Sequence, residues 1–346
     1  TSGGFSVPLK NEWYLMFGSG PAGTDAGSKL DALEGAVSNQ TAKIYTYDLK
    51  AKSFVIPDPT DAPGVASRDI ADSSAGYIGD MAAMDWNLDY TDDVVYFGTI
   101  EDSVAAPTGQ LKRFLPGTNF SITAATVNNL LTDTGGLEKP VMAPPEPYLD
   151  VRGNAWVYVG TGRFMVTADN LSNSQQFYAG IKEPKDSDGD YTWATINLSD
   201  LVDTTGFRVF KDGSLTTASK GVVTIDGNDI TSFTGLQNVI DDESGWFFEF
   251  DSSAARHLGK SAISRVSVVF TEYTPTGTSC DAEGQTLLNA VHYTTGTASG
   301  FAALGEGTEY FNVTDNLESL KSLEFGHGLV RDVVLEGDRV IGQDST

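Results

Sequence analysis

Three segments of this chain repeat one pattern: Trp13-Tyr-Leu-Met-Phe-Gly-Ser-Gly20, Val94-Val-Tyr-Phe-Gly-Thr99 and Trp156-Val-Tyr-Val-Gly-Thr-Gly162. Each is an aromatic and aliphatic run that stops at Gly, where a backbone must turn tightly or let another strand approach. A second strand follows each of them: Lys43-Ile-Tyr-Thr-Tyr-Asp48, Gln110-Leu-Lys-Arg-Phe114 and Gln176-Phe-Tyr-Ala-Gly180. Strong strands, Gly stops and polar returns predict repeated antiparallel units. Gly245–Phe250, Val266–Thr271, Leu287–His292 and Arg331–Leu335 continue the pattern less clearly. The first three Gly-terminated strands are unevenly spaced, roughly 60 to 80 residues apart, where a strict short-period propeller would be more regular.

Helical signals are sparse, with a turn or two expected at Asp200-Leu-Val and Asn316-Leu-Glu-Ser-Leu-Lys321. Residues 21–41, 57–80 and 116–150 read as long loops rich in Gly, Asp, Ser and Thr. Long loops on a rigid sheet scaffold are where binding concentrates. Radial repetition of four-stranded sheets is the all-β architecture that leaves only short edges exposed. The predicted fold class is therefore all-β: an irregular β-propeller of about seven blades with long decorated loops. A pair of β-sandwiches is the alternative.

At 346 residues the chain is long enough for two domains, but all-β chains of this size often form one. Residues 1–346 are read as a single propeller domain. Hydrophobic residues make up 40% of the chain, enough for a large core, and no apolar run approaches the roughly 20 residues of a membrane span. The 22 Lys and Arg against 47 Asp and Glu give a net charge of −25. No basic patch exists to displace phosphate counterions, which excludes nucleic acid as a partner, whereas divalent cations are attracted. Cys280 is the one cysteine, so no internal disulfide forms; it is a free thiol or pairs outside this chain. Thr1-Ser-Gly-Gly-Phe5 lacks the basic and apolar regions of a signal peptide. Val340-Ile-Gly-Gln-Asp344-Ser-Thr reads as a strand and turn cut short. The expectation is a mature or excised C-terminal part of a longer protein.

Asp85-Trp-Asn87-Leu-Asp89-Tyr-Thr-Asp-Asp93 carries oxygen-bearing side chains at its first, third, fifth and ninth positions, directly before the strand Val94–Gly98. Ca²⁺ takes 6–8 oxygen ligands, and a tight loop with carboxylates at alternate positions supplies most of them. The helix–loop–helix form needs Gly sixth and Glu twelfth; here those positions hold Tyr90 and Tyr96. A loop closed by an acid at position nine and running into a strand is the form found between propeller strands. The competing explanation is a polar turn whose Asp and Asn residues only cap the backbone. Ca²⁺ loops without a bidentate Glu have affinities suited to extracellular calcium. Asp186-Ser-Asp188-Gly-Asp190 is a candidate second, weaker metal loop, although an Asp/Gly turn explains the same residues.

Several phrases, in order along nearly the whole chain, resemble the C-terminal propeller domain of the PilY/PilC family, the type IV pilus tip adhesins and biogenesis factors. They are Phe17-Gly-Ser-Gly-Pro21, Asn39-Gln-Thr-Ala-Lys-Ile-Tyr45, the Asp85–Asp93 loop with Tyr96-Phe-Gly98, Gly109-Gln-Leu-Lys-Arg-Phe114, Tyr158-Val-Gly-Thr-Gly-Arg163, Gln175-Gln-Phe-Tyr-Ala-Gly-Ile181, Gly245-Trp246, Val269-Phe-Thr271, Thr274-Pro275 with Cys280, and Leu287-Leu-Asn-Ala-Val-His-Tyr-Thr-Thr-Gly296. The resemblance implies a non-enzymatic, surface-exposed propeller at the pilus tip, supporting pilus biogenesis, adhesion and twitching motility. It implies minor pilins and the tip complex as partners, with a host or abiotic surface as the adhesive target. It places Ca²⁺ on Asp85, Asn87, Asp89 and Asp93, with the Thr91 carbonyl as the backbone ligand. It places the chain outside the cell, exported through the periplasm. Three features depart from the family. Cys280 stands alone, the integrin-type Arg-Gly-Asp is replaced at its nearest approach by Arg152-Gly-Asn154, and the large N-terminal region has no counterpart.

Catalytic signatures are weak. His257, His292 and His327 share no short spacing, and each is expected to be structural. No Gly-x-Ser-x-Gly elbow occurs at a strand-to-helix turn. Gly160-Thr-Gly-Arg-Phe-Met165 lacks the Gly-Lys-Ser/Thr of a phosphate loop. Two rivals remain. One is a periplasmic quinoprotein dehydrogenase of the pyrroloquinoline-quinone class, also a Ca²⁺-holding propeller, whose vicinal disulfide one Cys cannot supply. The other is a carbohydrate-binding propeller that stacks sugars on exposed Trp and Tyr, although most large aromatics belong to the core.

Overall fold

Two of the apolar runs become strands buried on both faces, Val94–Glu101 and Ala155–Gly160, while the first, Tyr14–Gly18, keeps one face exposed. The computed structural model describes residues 12–55, 67–70, 75–101, 107–117, 121–133, 139–276, 284–311, 315–336 and 339–342; Cys280 lies outside them. Four sheets of blade size are built. The first places Lys43–Asp48 between Tyr14–Gly18 on one side and Ser53–Phe54 with Ser67–Asp69 on the other. The second runs Ile196–Asn197, Ser121–Thr132, Leu111–Gly117, Val94–Glu101, Gly76–Met84. The third runs Val202–Asp203, Gly245–Glu249, Phe177–Lys182, Ala155–Gly160, Glu146–Leu149. The fourth runs Ala262–Ser264, Ser267–Thr274, Gln285–His292, Ser322–His327.

Successive side chains along a strand point to opposite faces, and here the two faces meet different neighbours. Val95 and Phe97 pack with Ile44 and Ile78 of the first and second sheets, whereas Val94 and Tyr96 pack with Val157 and Val159 of the third. On the third sheet, Trp156 and Tyr158 turn the other way, onto Val268 and Phe270 of the fourth. The sheets therefore stack in series, face to face, as propeller blades do. A stack of this kind demands unbroken apolar runs, because each inner strand has no solvent face to fill with polar residues.

The Gly stops mark close approach. A Cβ on Gly98 would lie 2.0 Å from the Val141 carbonyl oxygen, and one on Gly160 would lie 2.4 Å from the His257 Cβ. Residues 183–244 leave the third sheet between two of its strands and return to it. On the way they add a parallel edge strand to the second sheet, Ile196 beside Leu131, and then one to the third, Val202 beside Trp246. This excursion ties the two blades together.

Several expectations need correction. The all-β, propeller-like class itself holds: the described residues build four blade-sized sheets, and the intervening chain forms two-stranded hairpins such as Val223–Ile225 with Asn228–Ile230. Residues 21–41 hold helix α1 (Ala26–Gly35), started by a capping box in which Asp25 accepts from the Ser28 N–H at 2.9 Å and Ser28 Oγ accepts from the Asp25 N–H at 3.0 Å. Helix α2 (Phe233–Asp242) is capped by Ser232 and buries Leu236 and Ile240. Residues 116–150 contain the 12-residue strand Ser121–Thr132, and residues 57–80 contain Ser67–Asp69 and the start of Gly76–Met84. The turn expected at Asn316–Lys321 is instead the strand Leu317–Ser319, paired with Glu306–Tyr310. The short turn at Asp200 is present as a 3-10 turn, Leu198–Asp200. Among the described residues, no helix is long and apolar enough to cross a membrane.

Candidate metal-binding loop

Asp85–Asp93 joins two paired strands of the second sheet: Met84 faces Val94, and the Asp93 N–H donates to the Met84 carbonyl at 2.9 Å. Inside this hairpin the acidic side chains fold inward onto the backbone. Asp85 accepts from the Asp89 N–H (3.2 Å) and the Tyr90 N–H (2.7 Å). Asn87 accepts from Asp89 N–H at 2.9 Å, and Asp89 accepts from Thr91 N–H at 3.0 Å. Asp93 closes the loop, accepting from Trp86 N–H at 2.8 Å, Asn87 N–H at 3.3 Å and the Asn87 side-chain amide at 3.3 Å. Leu88 and Tyr90 take positive φ, 59° and 71°, which a non-Gly residue adopts only when its surroundings impose it.

One loop thus brings together Asp85, Asn87, Asp89, Thr91 and Asp93. Their electrostatics are of one sign. The carboxyl of Asp93 is raised by burial, opposed by its bonds from Trp86 and Asn87 and reinforced by Asp85 and Asp89. That of Asp92 is raised by burial and by Asp85. The donor set is hard oxygen throughout, which suits Ca²⁺. Each ionised carboxylate offers about four lone-pair positions, so the backbone bonds leave acceptor capacity on every acid. Among the described residues, however, no three His, Cys, Asp or Glu side chains converge as a ready-made metal cluster.

A buried chain of polar groups, not read from the sequence, anchors the loop. Trp86 is 4% exposed, and its indole N–H donates to the Tyr96 hydroxyl at 2.9 Å. Tyr96 in turn donates to Glu183 Oε1 at 2.6 Å. Arg113 completes the chain with a bidentate pair to Glu183, Nε at 2.9 Å and Nη2 at 2.8 Å, both side chains fully buried. Arg113 also donates to the carbonyls of Trp193 (2.8 Å), Ala194 (3.0 Å) and Asn129 (3.1 Å). Burial raises the Glu183 carboxyl against the pull of Arg113, and burial beside Glu183 raises the Tyr96 phenol. The signal in the sequence was two cations, Lys112 and Arg113, inside an apolar strand.

Asp186–Asp190 lies nearby on the excursion, as a turn flanked by the Lys185–Tyr191 bridge. Asp186 caps it, accepting from the Asp188 N–H at 2.9 Å and the Asp190 N–H at 3.0 Å, with Gly189 at φ 88°. Asp186 is thus the capping side chain of the turn, and Asp188 and Asp190 supply backbone N–H groups to it. Tyr191 packs its ring against Trp86 at 6.4 Å, and its phenol is pushed up to about 12 by burial, Glu183 and Asp93. The Trp86–Tyr191 contact therefore makes the two acidic loops neighbours.

The histidines sit apart from this region. His257 is fully buried, edge-on to Tyr178 and Phe270, and burial lowers it to about 3. His292 packs edge-on against Phe233 and is lowered to about 4. His327 ends the exposed strand Ser322–His327.

No protein-family model matches this chain, and no curated protein matches it. Among solved structures it is similar to the C-terminal domain of PilY1 from Pseudomonas aeruginosa, at 14% identity and a TM-score of 0.57, over 89% of this chain and 65% of that one. The fold is PilY1-like. The chain spans about two thirds of the length of that neighbour.

Proposed function

We propose that this chain is a calcium-binding, non-enzymatic propeller of type IV pili, acting at the pilus tip outside the cell after export through the periplasm. In this reading it supports pilus biogenesis, surface adhesion and twitching motility by presenting surfaces. Its partners are minor pilins of the tip complex and a host or abiotic surface. The observation that carries the reading is the fold likeness to the PilY1 C-terminal domain over 89% of the chain, together with a loop of hard oxygen donors between two blade strands. Ca²⁺ would be held by Asp85, Asn87, Asp89 and Asp93 with the Thr91 carbonyl, and would neutralise acids that otherwise repel one another. Three of the five Trp, at 86, 156 and 246, are core residues, which favours this reading over a sugar-stacking propeller. Neutral, buried His257 and His292 are engaged in ring contacts, which favours it over an enzyme.

The test is thermal melting of chelator-treated protein with and without Ca²⁺, paired with pilus display in a strain carrying Asp85→Ala. A ligand that binds only the native state at 100 times its Kd adds about 2.7 kcal/mol of stability. A melting rise in the wild type, absent in Asp85→Ala, with fewer surface pili in that strain, is expected. Equal melting with and without the ion would remove calcium from the account; normal piliation of the variant strain would remove the pilus role.

A further inference from the structure

Among the described residues, the outer face of the first sheet is uncovered. On the first sheet, Met16, Ile44 and Thr46 face the second sheet. The alternate residues Trp13, Leu15, Phe17, Tyr45, Tyr47 and Phe54 form the opposite face. Leu15 pairs across the strands with Tyr47, Phe17 with Tyr45, and Tyr47 with Phe54. The rings are already organised: Phe17 stacks on Tyr45 at 5.3 Å, and Phe54 stands edge-on to Tyr47 at 5.2 Å. Yet Trp13 is 73% exposed, Leu15 54%, Phe17 41% and Phe54 45%. At roughly 200 Å² per large side chain these four alone leave about 400 Å² of apolar surface in water. Patches of that size on a monomer are often functional.

We infer that this face is a self-association surface, covered by the same face of a second copy of the chain. Three observations select that occupant. Every large interface inside the molecule is a sheet face packed on a sheet face with the same aromatic and aliphatic chemistry, and this bare face continues the series. The rim carries both signs, with Lys43 and Asp69 paired on the same side of the sheet as Tyr45. A two-fold interface, in which each residue of a pair is met twice, is satisfied by such a rim; a partner of one charge sign is not. With the half-buried tyrosines and the rim, the covered area approaches the roughly 600 Å² a side of weak, transient interfaces. The dimer is thus reversible and concentration-dependent. Two chains of −25 each repel at long range, so added salt tightens an apolar contact between them. This inference does not depend on calcium.

Sedimentation velocity from about 1 µM to about 300 µM, at low and high NaCl, reads the association in the range where weak dimers dissociate. Trp13→Arg and Phe54→Lys change exposed side chains, and far-UV circular dichroism checks that both variants fold. The wild type should move from one to two chains with concentration, more readily in high salt, and each variant should weaken this at least about tenfold. Phe325→Ser, on the exposed edge of the fourth sheet, should leave it unchanged. A wild type that stays monomeric throughout overturns the inference. So does a dimer that Phe325→Ser abolishes, one that both patch variants retain, or one that salt dissolves.

Discussion

Glu183→Gln tests the buried anchor beneath the loop. The substitution keeps the shape of the side chain but removes its charge, leaving the fully buried Arg113 guanidinium with only backbone carbonyls and neutral side-chain amides as acceptors. Removing one partner of a buried ion pair costs about 3–5 kcal/mol, chiefly because the other charge is stranded. Tyr96 also exchanges a charged acceptor for a neutral one, and hydrogen bonds to charged groups are the stronger kind, about 1.5–3 against about 1 kcal/mol. The expected loss is therefore about 4 kcal/mol in chemical denaturation followed by tryptophan fluorescence. Trp86 sits at the head of the chain, so its emission should shift before the global transition. Replacing both partners, Arg113→Met with Glu183→Leu, should recover most of the loss, since apolar substitutes for buried pairs are often neutral or better. A loss below about 1 kcal/mol for Glu183→Gln, or a double variant no more stable than the single one, would refute the reasoning.

Two further outcomes are expected. Glu272 is pushed up to about 7 by burial, with Asn289 donating to it at 3.3 Å. An acid whose native pKa is raised contributes stability that is fully present below its unfolded value near 4.5 and is lost as pH rises through about 7. Stability should fall by up to about 3 kcal/mol across that window, and denaturation curves of Glu272→Gln should lack this slope; an identical slope in the variant refutes the assignment. Gly98→Ala places a methyl 2.0 Å from the Val141 carbonyl oxygen. Overpacking against backbone should cost at least about 3 kcal/mol, and an unchanged melting temperature would show that the blades do not pack this closely there.

What the sequence made legible follows the physics of burial. Val94–Glu101, Ala155–Gly160 and Phe177–Lys182 were readable because strands covered on both faces have no polar alternation to confuse them. Ser121–Thr132 was read as loop, since its Ser, Thr, Ala and Asn residues carry little strand signal; it is strand because Leu111–Gly117 supplies its hydrogen bonds. Helix α1 was hidden for a related reason: Ala32 is its one buried residue, so it has no apolar stripe, and only the Asp25/Ser28 capping box marks it. In the candidate loop, the alternate oxygens were visible and fall in one hairpin. Trp86, Tyr96, Glu183 and Arg113 were not connected by any spacing, because the excursion that brings Glu183 to Arg113 joins residues 70 apart in the chain.

Isothermal titration of Ca²⁺ into chelator-treated protein, wild type and Asp85→Ala side by side, tests the central claim most directly. One saturable site in the wild type, lost in a variant that keeps its β-sheet circular dichroism, is the predicted result. No heat in the wild type, or the same heat in both proteins, would contradict it and reduce Asp85–Asp93 to a turn held by its own backbone bonds.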